Sequence, residues 1–338
     1  MILRRLASLT FVVAFAILCG CAQSSAPPRV RLDLVEPTNS MWQTKYWGLD
    51  VINAISAWQR VPDASAVTVA VVDSGLAPHP DIVNTQPGGT QCPSGTWNQD
   101  EDGHGTRVAG IIAGKPTGSH AVGVAWFAML RGYRFLCPSA FFEDTARNAL
   151  RAALAAAPAP AVVNASWAHL PWETAVATDI DALVTGNPGV LFVFAAPPAA
   201  PPYPPSPAPH PYPAFTTRDN VIIVTASDQD DRLLRSAGRD PARVHIAAPG
   251  VAIATADVRP SSPGTTTFQG ASAAAAFVSG CAALVKRAAE TATSPVALTG
   301  AQIREYLLNY ADSKPTLMSG VIGGKRLNCG AAVLAVPR

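Results

Sequence analysis

The sequence predicts an α/β protein: a three-layer, doubly wound, mostly parallel sheet with helices on both faces. Three observations predict it. Short runs rich in Val, Ile, Leu and Phe, such as 67–72 and 190–195, show no polar alternation and read as strands buried on both sides. Other segments place apolar residues at helical spacing, as at Phe142, Ala146, Leu150 and Leu154. The two kinds alternate along 338 residues, enough chain to bury a large core.

The elements follow in order. Residues 1–21 read as a targeting segment: Arg4 and Arg5 form a basic start, and 9–18 is an apolar run too short for an ordinary membrane span. Leu18-Cys19-Gly20-Cys21 resembles a lipoprotein processing site, with Cys21 as the residue that would carry lipid. Cys19 departs from the small residue usual there, and an ordinary secretory signal with an incidental Cys21 is the alternative. Either way the chain is expected to be exported: to the outer membrane or cell surface as a lipoprotein, otherwise to the periplasm or medium. Residues 22–41 are polar and Pro-containing and read as a tether. From 42 to 338 a single domain is expected. It opens with a helical face of Trp47, Leu49, Ile52, Ile55 and Trp58 over 42–60. Strands are expected at 67–72, 127–135, 161–164, 190–195, 221–225 and 244–248. Helices are expected from His104 to about Ala113, over 142–154 and 174–184, from Ser272 onward, and over 302–310 and 329–334.

The charge balance, 25 Lys and Arg against 23 Asp and Glu, leaves no electrostatic footprint for nucleic acid. A monomer is expected. With Cys19 removed and Cys21 lipid-bearing, Cys92, Cys137, Cys281 and Cys329 remain, which in an oxidising compartment allow two disulfides. The pairing favoured is Cys92 with Cys137 and Cys281 with Cys329. No C-x-x-C pair exists, so no metal site is expected from the cysteines.

Three polar residues stand in contexts that suggest chemistry. Asp73 follows a buried strand and precedes Ser74-Gly75, and acids at such strand ends line the ligand crevice of open parallel sheets, although an Asp there often just forms a turn. His104 lies between Gly103 and Gly105 at a helix start, where small neighbours permit close approach. The acidic trio Asp100, Glu101 and Asp102 before it reads as a solvated loop, with a cation site as the lesser alternative. Ser272 follows Gly270-Ala271 at the head of an Ala-rich helix, where unpaired N–H groups can stabilise an anion. In isolation each is ordinary.

Together they run Asp73, His104, Ser272, spaced by 31 and 168 residues. Order, spacing and flanking residues resemble the subtilisin-like serine peptidases, from about Trp42 to Val336. The resemblance implies a serine endopeptidase acting on peptides or proteins, with Ser272 as nucleophile, His104 as its base and Asp73 orienting the imidazole. It implies that Asn164, Ser166, Trp167 and Ala168 bind substrate, with Ala168 where the family usually has Gly, and it leaves calcium open as a structural ion. One oxyanion donor would be the Ser272 backbone N–H.

The second donor of the family is an Asn side chain, and Pro198 stands at that position. Residues 197–213 hold ten prolines in seventeen residues and no Asn. Removing that donor from subtilisin itself costs about 10²–10³ in turnover. His210 or water could replace it, the enzyme could be slow, or the chain could be a pseudoprotease that binds peptides at the cell surface. The proline run also reads as a plain polyproline II loop. Ala276 and Phe277 replace the Pro-His usual after the serine. The roughly twenty residues between Cys21 and Trp42 are too few for a folding prodomain.

Overall fold

Strand β1 (Thr68–Asp73) is buried along its whole length, and the rest of the sheet is built outward from it. The computed structural model describes residues 45–116, 121–137, 142–168, 174–197, 217–258 and 265–338. The targeting segment, Cys21, the 22–41 stretch, Pro198 and His210 lie outside the described residues.

After β1 the chain forms β2 (Thr85–Thr90), β3 (Met129–Arg134), β4 (Val162–Ala165), β5 (Leu191–Ala195), β6 (Val221–Ser227) and β7 (Ile246–Pro249). A separate antiparallel pair, β8 (Ile253–Ala256) and β9 (Thr265–Phe268), follows, and β10 (Asp312–Ser313) and β11 (Lys325–Arg326) are two-residue strands near the end. The large sheet has the order β10-β11-β7-β6-β5-β4-β1-β3-β2, with every neighbouring pair parallel except β10 and β11. Chain order runs one way from β1 through β4 to β7 and the other way to β3 and β2. The carboxyl end of β1 is therefore beside the switch point, where open sheets leave a crevice.

Helices cover both faces, as the alternation implied. On one side α4 (Phe142–Leu154) and α5 (Thr174–Thr185) bury Ala146, Leu150, Ile180 and Val184 against Ala70, Val72, Val163, Phe192 and Phe194. By strand alternation Val71 and Asp73 face the opposite layer. That layer holds α3 (His104–Ala113) and α6 (Ala271–Glu290), which pack on each other and on β1, with α6 also crossing β4 to β7. Sixteen of the twenty residues of α6 are buried, so it is a core helix on all sides rather than an amphipathic one. Its alanines let the sheet and α3 approach together. α7 (Gly300–Asn309) and α8 (Cys329–Leu334) flank it, and α7 starts with a capping box between Thr299 and Gln302.

Some sequence expectations shift. The helix expected over 42–60 is two short ones, α1 (Trp47–Val51) and α2 (Ala54–Arg60), because Asn53 adopts the left-handed conformation at φ 57° between them. Strand β2 was not anticipated, since Pro87 and two glycines argue against a strand. It survives as the sheet edge, with an irregular register between Gln86 and Gly89. The β8–β9 pair was also missed.

The two disulfides are Cys92–Cys137 and Cys281–Cys329, the favoured pairing. The second ties the middle of α6 to the first residue of α8. It closes a loop of 48 residues and the first a loop of 45. Replacing both Cys281 and Cys329 with Ala should therefore lower unfolding stability by about 2–5 kcal/mol. Denaturant titration of the oxidised parent and the double variant checks this.

Candidate active site

Three chain segments converge at the carboxyl end of the sheet: the exit of β1, the start of α3 and the start of α6. Asp73 is the last residue of β1 and is fully buried. Its Oδ1 accepts from the Ser74 N–H at 2.7 Å and lies 2.8 Å from His104 Nδ1. Its Oδ2 is buried with no partner among the described residues, so the imidazole is the principal side-chain outlet for the carboxylate's charge. The neutral tautomer with its proton on Nδ1 fits this contact and leaves Nε2 as the basic atom.

Gly105 explains how the helix comes so close. A Cβ there would stand 2.2 Å from the Gly75 carbonyl oxygen and 3.1 Å from Asp73 Cβ. Any side chain would push α3 off the β1 exit and pull the imidazole from the carboxylate. His104 also meets the Phe268 ring edge-on, with centroids 5.2 Å apart. Burial pushes its pKa down, but the Asp73 charge, the Asp73 hydrogen bond and then Asp102 and Asp100 outweigh that, leaving it above the ordinary histidine value.

The start of α3 is held by residues the sequence did not single out. Asp100 is buried, not solvated as its acidic neighbours suggest. Its Oδ1 accepts from Ser74 Oγ at 2.7 Å and the Gly103 N–H at 2.8 Å, and its Oδ2 from the Thr106 N–H at 2.8 Å and Thr106 Oγ1 at 2.6 Å. Ser74 Oγ in turn accepts from the Gly105 N–H at 2.9 Å, and Asp102 Oδ1 accepts from the His104 N–H at 3.1 Å. Side chains thus take the free N–H groups of residues 104, 105 and 106 in the first turn of α3. Burial raises the Asp100 pKa, against the opposing hydrogen bonds from Thr106 and Ser74. A signal for this network was present: a hydroxyl residue directly after Asp73 and another two residues after His104.

The start of α6 is different. Gly270 precedes it at φ 125°, a value that favours glycine, and the N–H groups of Ala271, Ser272 and Ala273 have no acceptor among the described residues. Ser272 Oγ donates to the Ser166 carbonyl oxygen at 2.9 Å, and no hydrogen bond joins it to His104. A cleft of about 300 Å³ is lined by both His104 and Ser272. Ser166, Trp167 and Ala168 form one of its walls, and Ala195, Ala196, Ser236 and Ala237 another. Asn164 is not in the wall. It is buried beneath it, donating to Ser166 Oγ at 3.0 Å and accepting from Ser279 Oγ at 2.9 Å. Trp167 is also largely buried, and its Nε1 donates to the Val72 carbonyl at 2.7 Å.

The acidic trio does not fit a calcium ion. Asp100 spends its oxygens inward on four donors, Glu101 lies 3.4 Å from Arg134, and Asp102 binds the His104 N–H. Calcium needs six to eight oxygens converging on one point, which these three do not supply. Among the described residues no group of three His, Cys, Asp or Glu side chains could hold a metal ion.

Replacing Asp100 with Ala would strand Ser74, Gly103 and Thr106 donors in the interior. Unfolding stability should fall by roughly 3 kcal/mol or more, since each stranded buried group costs about 1–3 kcal/mol. Thermal denaturation of Asp100→Ala beside the parent measures it, and an unchanged midpoint would remove Asp100 from the framework.

Residues 64–324 match the Subtilase family. An alkaline protease of Shouchella clausii is 31% identical over 288 residues, 81% of this chain and 66% of that protein. Subtilisin Savinase of Lederbergia lenta is 31% identical over 285 residues, 80% of this chain and 93% of that protein. The crystal structure of MycP1 with its N-terminal propeptide removed superposes with a TM-score of 0.69 at 26% identity, covering 85% of this chain and 96% of that one. The chain spans 66% of the length of the alkaline protease it matches, and it belongs to the subtilase family.

Proposed function

We propose that the protein is a serine endopeptidase that cleaves peptide bonds with Asp73, His104 and Ser272. The observation that carries this reading is the buried carboxylate 2.8 Å from the imidazole of His104, at a cleft that Ser272 shares. In the reaction Ser272 Oγ bonds to the substrate carbonyl carbon while His104 Nε2 takes the hydroxyl proton. The C–N bond then breaks as that proton passes to the leaving amine. Water hydrolyses the acyl-enzyme by the same route. Asp73 keeps the proton on Nδ1 and stabilises the imidazolium. The tetrahedral oxyanion would face the free N–H of Ser272 at the head of α6, where the helix dipole adds to the attraction.

The resting rotamer of Ser272 points to Ser166, so a turn about its Cα–Cβ bond must bring Oγ to His104 before reaction. Substrate backbone would lie along Ser166, Trp167 and Ala168, with Asn164 supporting them from below. Pro198 at the usual position of the side-chain oxyanion donor implies slow turnover. That same residue favours the second reading, a peptide-binding pseudoprotease. The two disulfides suit an oxidising compartment, in keeping with export and anchoring through lipid on Cys21.

A fluorophosphonate probe distinguishes the two readings. The parent should be labelled at Ser272 and Ser272→Ala should not, with mass spectrometry locating the adduct. The labelling rate should rise with pH through a midpoint above 6.5, because the raised pKa of His104 keeps the base protonated below it. No label on the folded parent would leave the pseudoprotease. Turnover is a separate question. Pro198→Asn, alone or with Pro197→Gly, should raise kcat on a peptide substrate by about 10–10³-fold, up to the full value of the missing donor. An unchanged kcat in the folded variant would mean that another group already fills the role.

A further inference from the structure

Just beyond β4, Ser166 is joined to Ser272 by two hydrogen bonds in opposite directions. Ser166 Oγ donates to the Ser272 carbonyl at 2.9 Å, while Ser272 Oγ donates to the Ser166 carbonyl at 2.9 Å. The Ser166 hydroxyl is itself fixed, because Asn164 Nδ2 donates to it at 3.0 Å. Asn164 Oδ1 accepts from Ser279 Oγ at 2.9 Å, so the chain of bonds returns to α6 two turns beyond Ser272. Ser166, Asn164 and Ser279 are all buried.

We propose that Ser166 is a positioning residue for the nucleophile, its side-chain hydroxyl holding the Ser272 peptide unit in register with His104. This rests on the peptidase reading above. The physical argument concerns leverage. The start of α6 follows Gly270, and its first N–H groups have no partner among the described residues. The intrahelical bonds of a first turn are the weakest restraint on a helix, because ends fray. Asp102, Ser74 and Asp100 bind the first N–H groups of α3, and among the described residues no comparable side chain binds those of α6. The Ser166 hydroxyl acts instead on the carbonyl side of the same turn. A shift of about 1 Å in a reacting group can cost about 10²-fold in rate. A single well-fixed donor to Ser272 therefore has a kinetic effect out of proportion to its stability.

The test compares Ser166→Ala, Ser166→Thr and Ser279→Ala in the full chain. Readouts are the fluorophosphonate labelling rate, kcat and KM on one peptide, and the thermal midpoint. Ser166→Ala should lower kcat and labelling by about 10–100-fold with KM within about twofold. Ser166→Thr, which retains the hydroxyl, should recover most of that loss. Ser279→Ala releases Asn164 from the far end and should lower the midpoint, with a smaller loss of kcat than Ser166→Ala because the Ser166 hydroxyl itself remains. If Ser166→Ala does not fold, Ser166→Cys supplies the weak-donor variant, with the same kinetic expectation. Unchanged kcat in folded Ser166→Ala or Ser166→Cys overturns the proposal, as does an equal loss in Ser279→Ala. An unlabelled parent overturns the peptidase reading instead, so the two failures are distinguishable.

Discussion

The constraint on which the site depends is the burial of a carboxylate at the end of the central strand. Asp73 leaves β1 with no exposure to water, so its charge has to be balanced by neighbours at fixed distances. Ser74 supplies one N–H, His104 supplies the imidazole, and the close approach of α3 follows from having to deliver that imidazole. Gly105 is the local consequence, since the Gly75 carbonyl occupies the space a side chain would need. Asp100 is a second buried carboxylate behind the first. By binding Ser74, Gly103 and Thr106 it fixes the relation between the strand exit and the helix start. The Asp73–His104 contact is therefore held from two sides and does not rely on its own modest strength.

The two helix starts in the site are treated oppositely, and that difference has chemical meaning. The first turn of α3 is covered by Asp102, Ser74 and Asp100, so its N–H groups are unavailable to a ligand. The first turn of α6 has no such cover among the described residues, and Ser272 sits within it. Free donors on a helix end attract developing negative charge, whereas donors already bound to carboxylates do not. In the proposed reaction one helix end would supply the base and the other the stabilising field. An Ala-rich α6 suits its part, since small side chains let it cross four strands and still meet α3 closely.

Much of this was legible in the sequence. Apolar runs marked β1, β5 and β6 because parallel strands buried on both faces need no alternation. Asp73, His104 and Ser272, each ordinary alone, stood out together through an order, spacing and flanks that resemble the subtilisin-like serine peptidases. What escaped notice was non-local. Asp100 lies among acids in a loop, and its burial is decided by Ser74, twenty-six residues away in the chain. Edge strand β2 escaped because pairing with β3 overrides the poor propensity of Pro87 and its glycines. The break at Asn53 splits a continuous apolar face through one backbone angle that periodicity does not register. Asn164 looked like a wall of the cleft, yet its short side chain serves the layer beneath.

The remaining tension lies between the orienting framework around His104 and the proposal that Pro198 stands where the family has an oxyanion donor. Pairing a base with a nucleophile accelerates proton transfer, and typical contributions from such a base are about 10²–10⁴. Stabilising the oxyanion is a separate electrostatic contribution, made by groups that need not touch the base. Losing one would leave the other intact, because among the described residues the network from Asp100 to His104 shares no hydrogen bond with the exit of β5. A slow enzyme with a correctly built base is therefore physically coherent. Asp73 is a fully buried carboxylate 2.8 Å from His104, an arrangement in which the imidazolium formed during reaction would be stabilised.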